Sequence, residues 1–323
     1  MNNLSLIFKV LSIVFLFSLN VSAKEVNSDF EIWVNDLKKA VQDKNYQQDF
    51  IDEVFLNIYY SKEYIEEDKK QFKPQTFAQY YKNAINNRRI RKAKAKINKN
   101  NVILNKVESK FQVPKEYIVA LWAIETDFGL LKGDFNVINS LANLSFNKRR
   151  RELFLNEFFA AIKIVNDNNM SAKKLKGSWA GAIGQCQFLP STYLKYGYDF
   201  DNDGIVDIWR NKSDIFASIA NYLKSIGWDN NINWGYEINY NKELAKMSNS
   251  KEKYNLKLLL DKYKISKKNN SKFNNREILS KVSLVNQDNK IFVVFNNFDL
   301  IKEWNNSTYF ALTVGILSDL ITN

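Results

Sequence analysis

The sequence predicts a mainly α-helical protein with a small β-containing part, an α+β fold in which helices dominate. Only 3 prolines and 10 glycines occur in 323 residues, so few positions interrupt regular structure. Hydrophobic residues make up 45% of the chain and aromatic residues 14%, as is typical of a globular protein. Apolar residues recur at helical spacing near the N-terminus, as at Phe30, Val34 and Leu37.

Changes in composition along the chain predict five successive segments. Ile291 to Phe295 (IFVVF) is typical of a short strand, and residues 307–321 of a closing helix with a Ser/Thr cap. Lys73-Pro74 interrupts the helical pattern that precedes it. The predicted segments are a signal peptide (1–23), a helical domain (24–112), a motif-rich core (113–228), a small β-containing region (229–300) and a C-terminal helix (301–323).

The first 23 residues have the pattern of an export signal. Lys9 precedes an apolar run from Val10 to Leu19, and Val21-Ser22-Ala23 offers small residues for cleavage after Ala23. An uncleaved membrane anchor is the alternative, although the run is short for a span. Because no cysteine follows the run, we expect no lipid anchor there. The pattern predicts an exported, periplasmic protein.

Residue composition excludes several kinds of active site. The chain has no histidine, which excludes a Ser-His-Asp triad, a Cys-His dyad and a histidine-ligated zinc. The single Cys186 excludes a disulfide framework, and without a histidine partner it is expected to be a small buried hydrophobic residue. Any catalysis must therefore rest on Asp, Glu, Lys, Tyr, Ser or Cys186.

The chain carries a net charge of +12. Such a charge attracts polyanions, which include nucleic acid, anionic lipid and cell wall, and it also favours solubility. Export argues against nucleic acid as the partner. The basic run over residues 88–99 is interpreted as a solvated helix face, with a wall-binding patch as the alternative.

Glu125 is the candidate acid. Val113-Pro114 begins a predicted helix whose residues 117–124 are apolar on every side, so the helix should be buried all round, with Gly129 as its stop. A carboxyl group among apolar neighbours has a raised pKa, which suits a general acid near neutral pH. The alternative is a helix-edge glutamate paired with Lys or Arg. Asp127 lies about 200° around the helix, so the two carboxylates should not share a face.

A run of small residues follows at 177–184 (GSWAGAIG). Small residues let the backbone approach another element or a ligand closely. Just beyond them, the amide of Gln187 is suited to orient a sugar hydroxyl or amide group. A tight loop before a helix capped near Ser191 is the alternative interpretation.

Residues 199–207 form an acidic loop of the pattern D-x-D-x-D-G-x-x-D. Its first six residues match the start of an EF-hand loop, in which acidic oxygens bind calcium and a glycine makes the sharp turn. Arg210 stands where the usual final glutamate would be, and a metal-free polar turn is the alternative. The predicted ligands of a structural calcium ion are Asp199, Asp201, Asp203, Ile205 through its carbonyl, Asp207 and Asp214.

Together these motifs identify a resemblance. The matching stretches are WAIETDFG (122–129), INSLANLSF (138–146), RRRELF (149–154), GSWAGAIGQCQFLPSTY (177–193), DFDNDGIVDIW (199–209), IANYLKSIGW (219–228) and WNNSTYFALTV (304–314). The chain resembles the type B membrane-bound lytic murein transglycosylases, a glycoside hydrolase family with a lysozyme-like catalytic core. Weaker similarity extends from about Phe30 to the end.

The resemblance implies an activity and a set of site residues. Glu125 would protonate the leaving oxygen of the MurNAc–GlcNAc β-1,4 bond of peptidoglycan, and would then act as base on the muramyl C6 hydroxyl to form a 1,6-anhydro product. Ser178 and Gln187 match positions near the acid, and Tyr222 and Asn305 match sugar-binding positions. The implied partner is the glycan strand, the implied state a monomer, and no cofactor is required for the chemistry.

Departures from the family pattern keep alternatives open. Trp304 and Phe310 stand where tyrosines are expected, although Trp304 can still stack on a sugar, and the acidic loop is about one residue longer before Asp214. A hydrolytic muramidase would need a second carboxylate, for which Asp134 is the nearest candidate. A non-catalytic wall-binding scaffold would have no need of a buried acid at Glu125.

Overall fold

The computed structural model describes residues 28–70 and 75–322, so the predicted signal peptide and the Lys73-Pro74 break lie outside the described residues. Helices account for most of this part of the chain. In chain order they are α1 (28–42), α2 (Gln48–Phe55), α3 (Lys62–Lys70), α4 (Phe77–Ala84), α5 (Asn87–Lys99), α6 (Asn101–Phe111), α7 (Lys115–Thr126), α8 (Val137–Phe146), α9 (Arg151–Asp167), α10 (Pro190–Tyr196), α11 (Lys212–Ser225), α12 (Lys242–Met247), α13 (Leu256–Tyr263), α14 (Asn275–Ile278), α15 (Asn296–Trp304) and α16 (Thr308–Thr322).

Six short strands complete the described structure. They are β1 (Phe135–Asn136), β2 (Lys176–Gly177), β3 (Gly235–Ile238), β4 (Tyr254–Asn255), β5 (Lys281–Gln287) and β6 (Lys290–Val294). β1 and β2 pair with each other, and the other four form an antiparallel sheet in the order β3-β6-β5-β4. The predicted mainly helical α+β class is therefore confirmed.

The chain folds into two compact units that interleave along the sequence. The first unit holds the described residues up to 70 together with 133–183 and 188–194, and the second holds the rest. The units do not coincide with the contiguous segments predicted from composition, because residues 113–228 are divided between them.

The first unit is organised around α8, whose polar side chains are buried. Asn139 Oδ1 accepts the backbone N–H of Tyr59 (2.9 Å), and Asn143 Oδ1 accepts that of Ser61 (2.8 Å). Both asparagines are fully buried, so their amides satisfy backbone groups that would otherwise lose water without replacement. The segment that links α2 to α3 is thereby fixed to α8.

The second unit packs α7 against α5, α6, α11 and α16. Its four-stranded sheet lies within the region predicted to contain β structure, and β6 (Lys290–Val294) matches the predicted strand. Asp288 and Asn289 connect β5 to β6 with positive φ at both positions, the conformation of a two-residue hairpin turn. The predicted closing helix is α16, where Ser307 Oγ accepts the N–H of Phe310 (3.2 Å).

Within the described ranges, 28–70 and 75–322, no helix is both long enough and apolar enough to cross a membrane.

Candidate active site

Helix α7 carries Glu125 in its last turn. Residues 117–123 are buried on all sides, as the apolar run predicted. The helix ends at Thr126, three residues before the predicted stop at Gly129, because Asp127 adopts the left-handed conformation with φ 47°. Thr126 Oγ1 accepts the N–H of Gly129 (3.0 Å), which fixes the turn that follows the helix.

Glu125 is half-buried: its carboxyl group is enclosed by protein, but part of the residue stays accessible to solvent. Its carboxylate Oε1 accepts the indole N–H of Trp304 at 2.7 Å. Burial raises the pKa of Glu125 to about 7, and the Trp304 hydrogen bond opposes that rise without cancelling it. A carboxyl group that exchanges its proton near neutrality, and that solvent can reach, can serve as both acid and base.

A series of aromatic side chains in the second unit begins at Trp304, beside this carboxylate. The Trp304 ring packs edge-on against Tyr222, with 4.8 Å between centroids, and Tyr222 packs in the same way against Tyr196. Tyr80 lies close enough for the charge of Glu125 to act on it: burial, then that charge, raises the pKa of Tyr80 to about 12. The predicted positions Tyr222 and Trp304 are thus brought together, whereas no sequence pattern indicated Tyr80.

The neighbouring carboxylate, Asp127, is committed elsewhere. It pairs with Lys92 (2.9 Å) and Arg89 (3.7 Å), both on α5. The alternative interpretation, a helix-edge acid paired with basic residues, therefore applies to Asp127; within 28–70 and 75–322, Glu125 has no Lys or Arg nitrogen within 4 Å. Asp134, the candidate second carboxylate of a hydrolase, is an exposed residue of the first unit.

The basic run on α5 is only partly solvated. Besides the two residues that pair with Asp127, Lys96 lies 5.7 Å from the ring centroid of Trp122 on α7. Ala93 and Ile97 are buried on the same helix. One face of α5 therefore supports the helix that carries Glu125.

The other three predicted substrate-binding residues differ in their hydrogen bonds and exposure; they are Gln187, Ser178 and Asn305. The amide nitrogen of Gln187 donates to the carbonyls of Lys132 (3.2 Å) and Gly184 (3.0 Å), so its oxygen is the atom left to meet a ligand. Ser178 belongs to the first unit, where its Oγ accepts the N–H of Ala182 (3.0 Å) and closes a turn. Asn305 is exposed, just after the end of α15.

Gln185 connects three elements of the second unit and was missed from the sequence. Its side-chain oxygen accepts hydrogen bonds from Trp122 Nε1 (2.8 Å) and Lys212 Nζ (2.9 Å), and its amide nitrogen donates to the Trp209 carbonyl (2.7 Å). The small residues at 177–184, just before Gln185, indicated close packing in this part of the chain. A Cβ at Gly129 would lie 2.2 Å from the Gln185 side-chain oxygen, so the close approach needs glycine.

The acidic loop brings three of its predicted ligands together. Carboxylate oxygens of Asp199, Asp201 and Asp214 lie within 4.8 Å of one another. Asp199 Oδ1 is buried and has no hydrogen-bond partner among the described residues, whereas Asp214 accepts the backbone N–H groups of Phe200 and Asp207 (both 2.9 Å). Burial and the nearby aspartates raise the pKa of Asp214. Hard oxygens of like charge, one lacking a partner, fit a bound cation such as calcium.

The remaining acidic residues of the loop have other partners. Asp203 Oδ1 accepts the N–H of Ile205 (2.8 Å), and Asp207 Oδ1 accepts those of Trp209 and Arg210 (both 2.9 Å). Neither aspartate joins the cluster of three. A ligand role for the Ile205 carbonyl stays a prediction.

Comparisons with known proteins identify the family to which the chain belongs. The family profile described as "Transglycosylase SLT domain" matches residues 29–319. The membrane-bound lytic murein transglycosylase B of Escherichia coli (strain K12) is 40% identical over 126 residues, which cover 39% of this chain and 35% of that protein. The chain therefore spans about a third of the length of that curated relative.

Two solved structures extend the likeness to most of the chain. SltB3 from Pseudomonas aeruginosa, in complex with NAG-anhNAM-pentapeptide, is 30% identical with a TM-score of 0.85, covering 91% of this chain and 80% of its own. The Escherichia coli lytic transglycosylase Slt35, in complex with calcium, is 26% identical with a TM-score of 0.78, covering 92% and 93%. The profile match alone spans more than half of the sequence, so the chain belongs to the transglycosylase SLT domain family.

Proposed function

We propose that this protein is a lytic murein transglycosylase that cleaves the β-1,4 bond between MurNAc and GlcNAc in peptidoglycan, with Glu125 as its single acid/base. The observation that carries the proposal is the environment of Glu125. Its pKa is raised to about 7 by burial, and among residues 28–70 and 75–322 its one hydrogen-bond donor is the Trp304 indole.

In the first step, protonated Glu125 donates its proton to the glycosidic oxygen. The bond between that oxygen and muramyl C1 breaks, and the GlcNAc side leaves as an alcohol. Positive charge develops at C1, where the substrate's own acetamido group assists. A carboxyl group with an ordinary pKa would be almost fully ionised at neutral pH, so the raised pKa keeps a proton available.

In the second step, the Glu125 carboxylate removes the proton from the muramyl C6 hydroxyl. The C6 oxygen attacks C1 and closes the 1,6-anhydro ring, and Glu125 returns to its protonated form. The Trp304 N–H stabilises the carboxylate between the two steps because it donates to the charged form. No water enters the balance of the reaction.

Hydrolysis on the same fold is the second candidate, and it would need a carboxylate that activates water. Asp127 is unsuited to that role because Lys92 and Arg89 neutralise it. We therefore favour transfer to the substrate's own hydroxyl over transfer to water.

We further propose substrate-binding roles for the surrounding residues. Trp304 and Tyr222 form an aromatic wall on which a sugar ring can pack, and the Gln187 side-chain oxygen can accept from a hydroxyl or acetamido N–H. Ser178 and Asn305 keep their proposed binding roles on the strength of the family pattern alone.

The acidic loop is proposed to hold a structural calcium ion through Asp199, Asp201 and Asp214. A bound cation would neutralise the clustered carboxylates and stabilise the turn; it supplies no step of the chemistry. Thermal unfolding with and without a chelator tests this, with a lower transition temperature expected after chelation. Because Asp199→Asn removes a ligand, that variant should lose the response to calcium.

Murein lies outside the cytoplasm, so we propose that the protein is exported, with residues 1–23 as its signal peptide. The net charge of +12 should help it to associate with the anionic wall, more weakly at high salt.

The decisive experiment digests purified peptidoglycan with the wild type and with Glu125→Gln, followed by mass analysis of the released muropeptides. Products about one water (~18 Da) lighter than reducing muropeptides, absent from the variant's digest, are expected from the two steps above. Reducing products would instead identify a hydrolase. Wall binding by both proteins without any product would identify a scaffold.

A further inference from the structure

A second concave surface lies on the other side of α15 from the aromatic wall. It is a groove of about 550 Å³ within the second unit. One face of β5 forms its floor, a loop over residues 249–253 forms one wall, and α15 with Thr308 forms the other. We call this surface the lysine groove, after Lys251, Lys253 and Lys302, which line it.

The floor of the lysine groove faces away from the core of the β region. Ser283 and Gln287 line the groove and are half-buried, and the buried Val285 between them also lines it. Val282 and Leu284 belong to the buried cluster beneath, although Leu284 also reaches the groove lining. This face of β5 therefore offers the Ser283 hydroxyl and the Gln287 amide to a ligand in the groove.

The wall opposite α15 is held in place by Asn249. This residue has φ 62°, donates its backbone N–H to the Leu284 carbonyl (2.8 Å), and exchanges side-chain hydrogen bonds with the backbone of Asn286 (both 3.0 Å). The loop is therefore attached to β5 at its first residue, Asn249.

The lysine groove carries excess positive charge. Lys253 pairs with Asp299 at 2.9 Å, but within 28–70 and 75–322 neither Lys251 nor Lys302 has a carboxylate within 4 Å. The lining holds three lysines against one aspartate, a net charge of +2. Val294 and Phe298 also line the groove but are only 2% exposed, so its accessible surface is mainly polar and basic and suits a ligand with carboxylates and amide groups.

The groove is one helix away from Glu125. Lys302 and Trp304 are two residues apart on α15, so they leave opposite sides of the helix. Trp304 reaches Glu125, whereas Lys302 reaches the groove. A helix with its side chains is about 10 Å thick, and a five-residue peptide extends to roughly 17 Å. A peptide attached to a sugar beside Glu125 is therefore long enough to enter the lysine groove.

We propose that the lysine groove binds the acidic peptide stem of the muramyl residue that is being cleaved. This rests on the proposed function, since only a peptidoglycan substrate brings such a stem to the site. Lys251 and Lys302 pair with stem carboxylates, while Ser283 and Gln287 meet its amide groups.

The test compares stem-bearing glycan with strands whose stems an amidase has removed. We expect wild type to have a lower KM for the stem-bearing substrate. In the Lys251→Met/Lys302→Met variant, the ratio of the two KM values should move about tenfold toward loss of that preference, as expected for two charge contacts. Lys281→Met, an exposed lysine on the same strand outside the groove, is the control and should keep the wild-type ratio.

A binding experiment separates this proposal from the proposed function. The free pentapeptide L-Ala-γ-D-Glu-diaminopimelate-D-Ala-D-Ala is titrated calorimetrically into wild type, the double variant and the control, whether or not the protein cleaves glycan. Binding to wild type and the control that falls about tenfold in the double variant supports the groove. No binding to wild type, equal binding to all three, or a KM ratio that does not move overturns it.

Discussion

Two glutamates of the second unit are largely removed from water, and their partners differ. Glu277 is 1% exposed and pairs with Lys267 at 3.3 Å; it also accepts from the Tyr236 hydroxyl and from the backbone N–H of Asn274 (2.9 Å). Within the part of the chain that the structure describes, Glu125 accepts from a single uncharged donor, the Trp304 indole, and has no cation within 4 Å. The first carboxylate has its charge balanced by the fold, whereas the second does not.

The partners of a buried carboxylate decide whether its proton can exchange near neutral pH. A buried carboxylate that pairs with a cation and accepts from several donors has its charge balanced by its neighbours and serves structure. One that is buried without a cation retains its proton to a higher pH, here to about 7. Burial alone therefore does not identify the acid; the partners do. Each glutamate can be changed separately to test this.

The largest effect is expected for Glu125→Gln, which should lower the rate of glycan cleavage about 10³-fold because the proton donor is lost. Glu243→Gln, at an exposed position on α12, is the matched control and should retain full activity. Initial rates on purified peptidoglycan measure both. Cleavage by Glu125→Gln at more than a tenth of the wild-type rate would mean that another group supplies the proton.

The same variant should be more stable than wild type at alkaline pH. Because the folded-state pKa of Glu125 (about 7) lies above its ordinary value of 4.5, the wild type loses stability as pH rises between these values. Glutamine does not titrate and avoids that loss. Thermal unfolding at pH 5 and pH 8 should show a larger advantage for the variant at pH 8; an equal difference at both values would contradict the raised pKa.

Glu277→Gln should lower stability and leave activity nearly unchanged, which is the opposite of the result expected for Glu125→Gln. It leaves Lys267 buried without its counter-charge, so the free energy of unfolding should fall by about 3 kcal/mol, and the transition temperature by roughly 5–10 °C. Cleavage per folded molecule at 25 °C should be close to that of wild type. A large loss of activity without loss of stability would show that the two glutamates are not distinguished as described.

A smaller effect is expected for Trp304→Phe, which keeps an aromatic ring beside Tyr222 and removes the N–H that donates to Glu125. Since that donor favours the charged carboxylate, its loss should raise the pKa of Glu125 further. The fall of kcat/KM at alkaline pH, where the acid loses its proton, should move up by about one pH unit. A shift toward lower pH would contradict the assigned role of the indole.

The smallest effect is expected from substitution of Gln185, whose side chain links Trp122 on α7 to the Trp209 carbonyl. Gln185→Met should lower the free energy of unfolding by about 1–2 kcal/mol and reduce cleavage a few-fold, because Trp122 and the Trp209 carbonyl lose their partner. Lys212→Met removes only the hydrogen bond from Lys212 to the Gln185 side-chain oxygen and should lower the free energy of unfolding by less. The reverse order in urea unfolding would show that Lys212, not Gln185, is the main link.

Local patterns were sufficient to predict much of the fold. The apolar run before Glu125 predicted an all-round buried helix. Strand β6 lies where the apolar run at 291–295 predicted a strand, and the closing helix lies where residues 307–321 predicted it. The hairpin turn at Asp288-Asn289 also carried a recognisable signal, although β5 was not predicted from it. Each of these features depends on neighbours in sequence.

Features that depend on distant contacts could not be predicted in the same way. Glu125 meets Trp304 179 residues later in the chain. Gln185 joins Trp122, Trp209 and Lys212 through contacts that no periodicity encodes. The helix stop was predicted at Gly129, but Asp127 takes the left-handed conformation first, which a non-glycine residue adopts only when its surroundings support it.

The most direct measurement is the titration of Glu125 itself. Side-chain carboxyl resonances of protein labelled with ¹³C-glutamate are followed by NMR from pH 4 to pH 9, and the Glu125→Gln variant assigns the resonance that disappears. A carboxyl group with a pKa near 7 at this position is the expected result. Titration at the ordinary glutamate value would contradict the assignment of Glu125 as the acid.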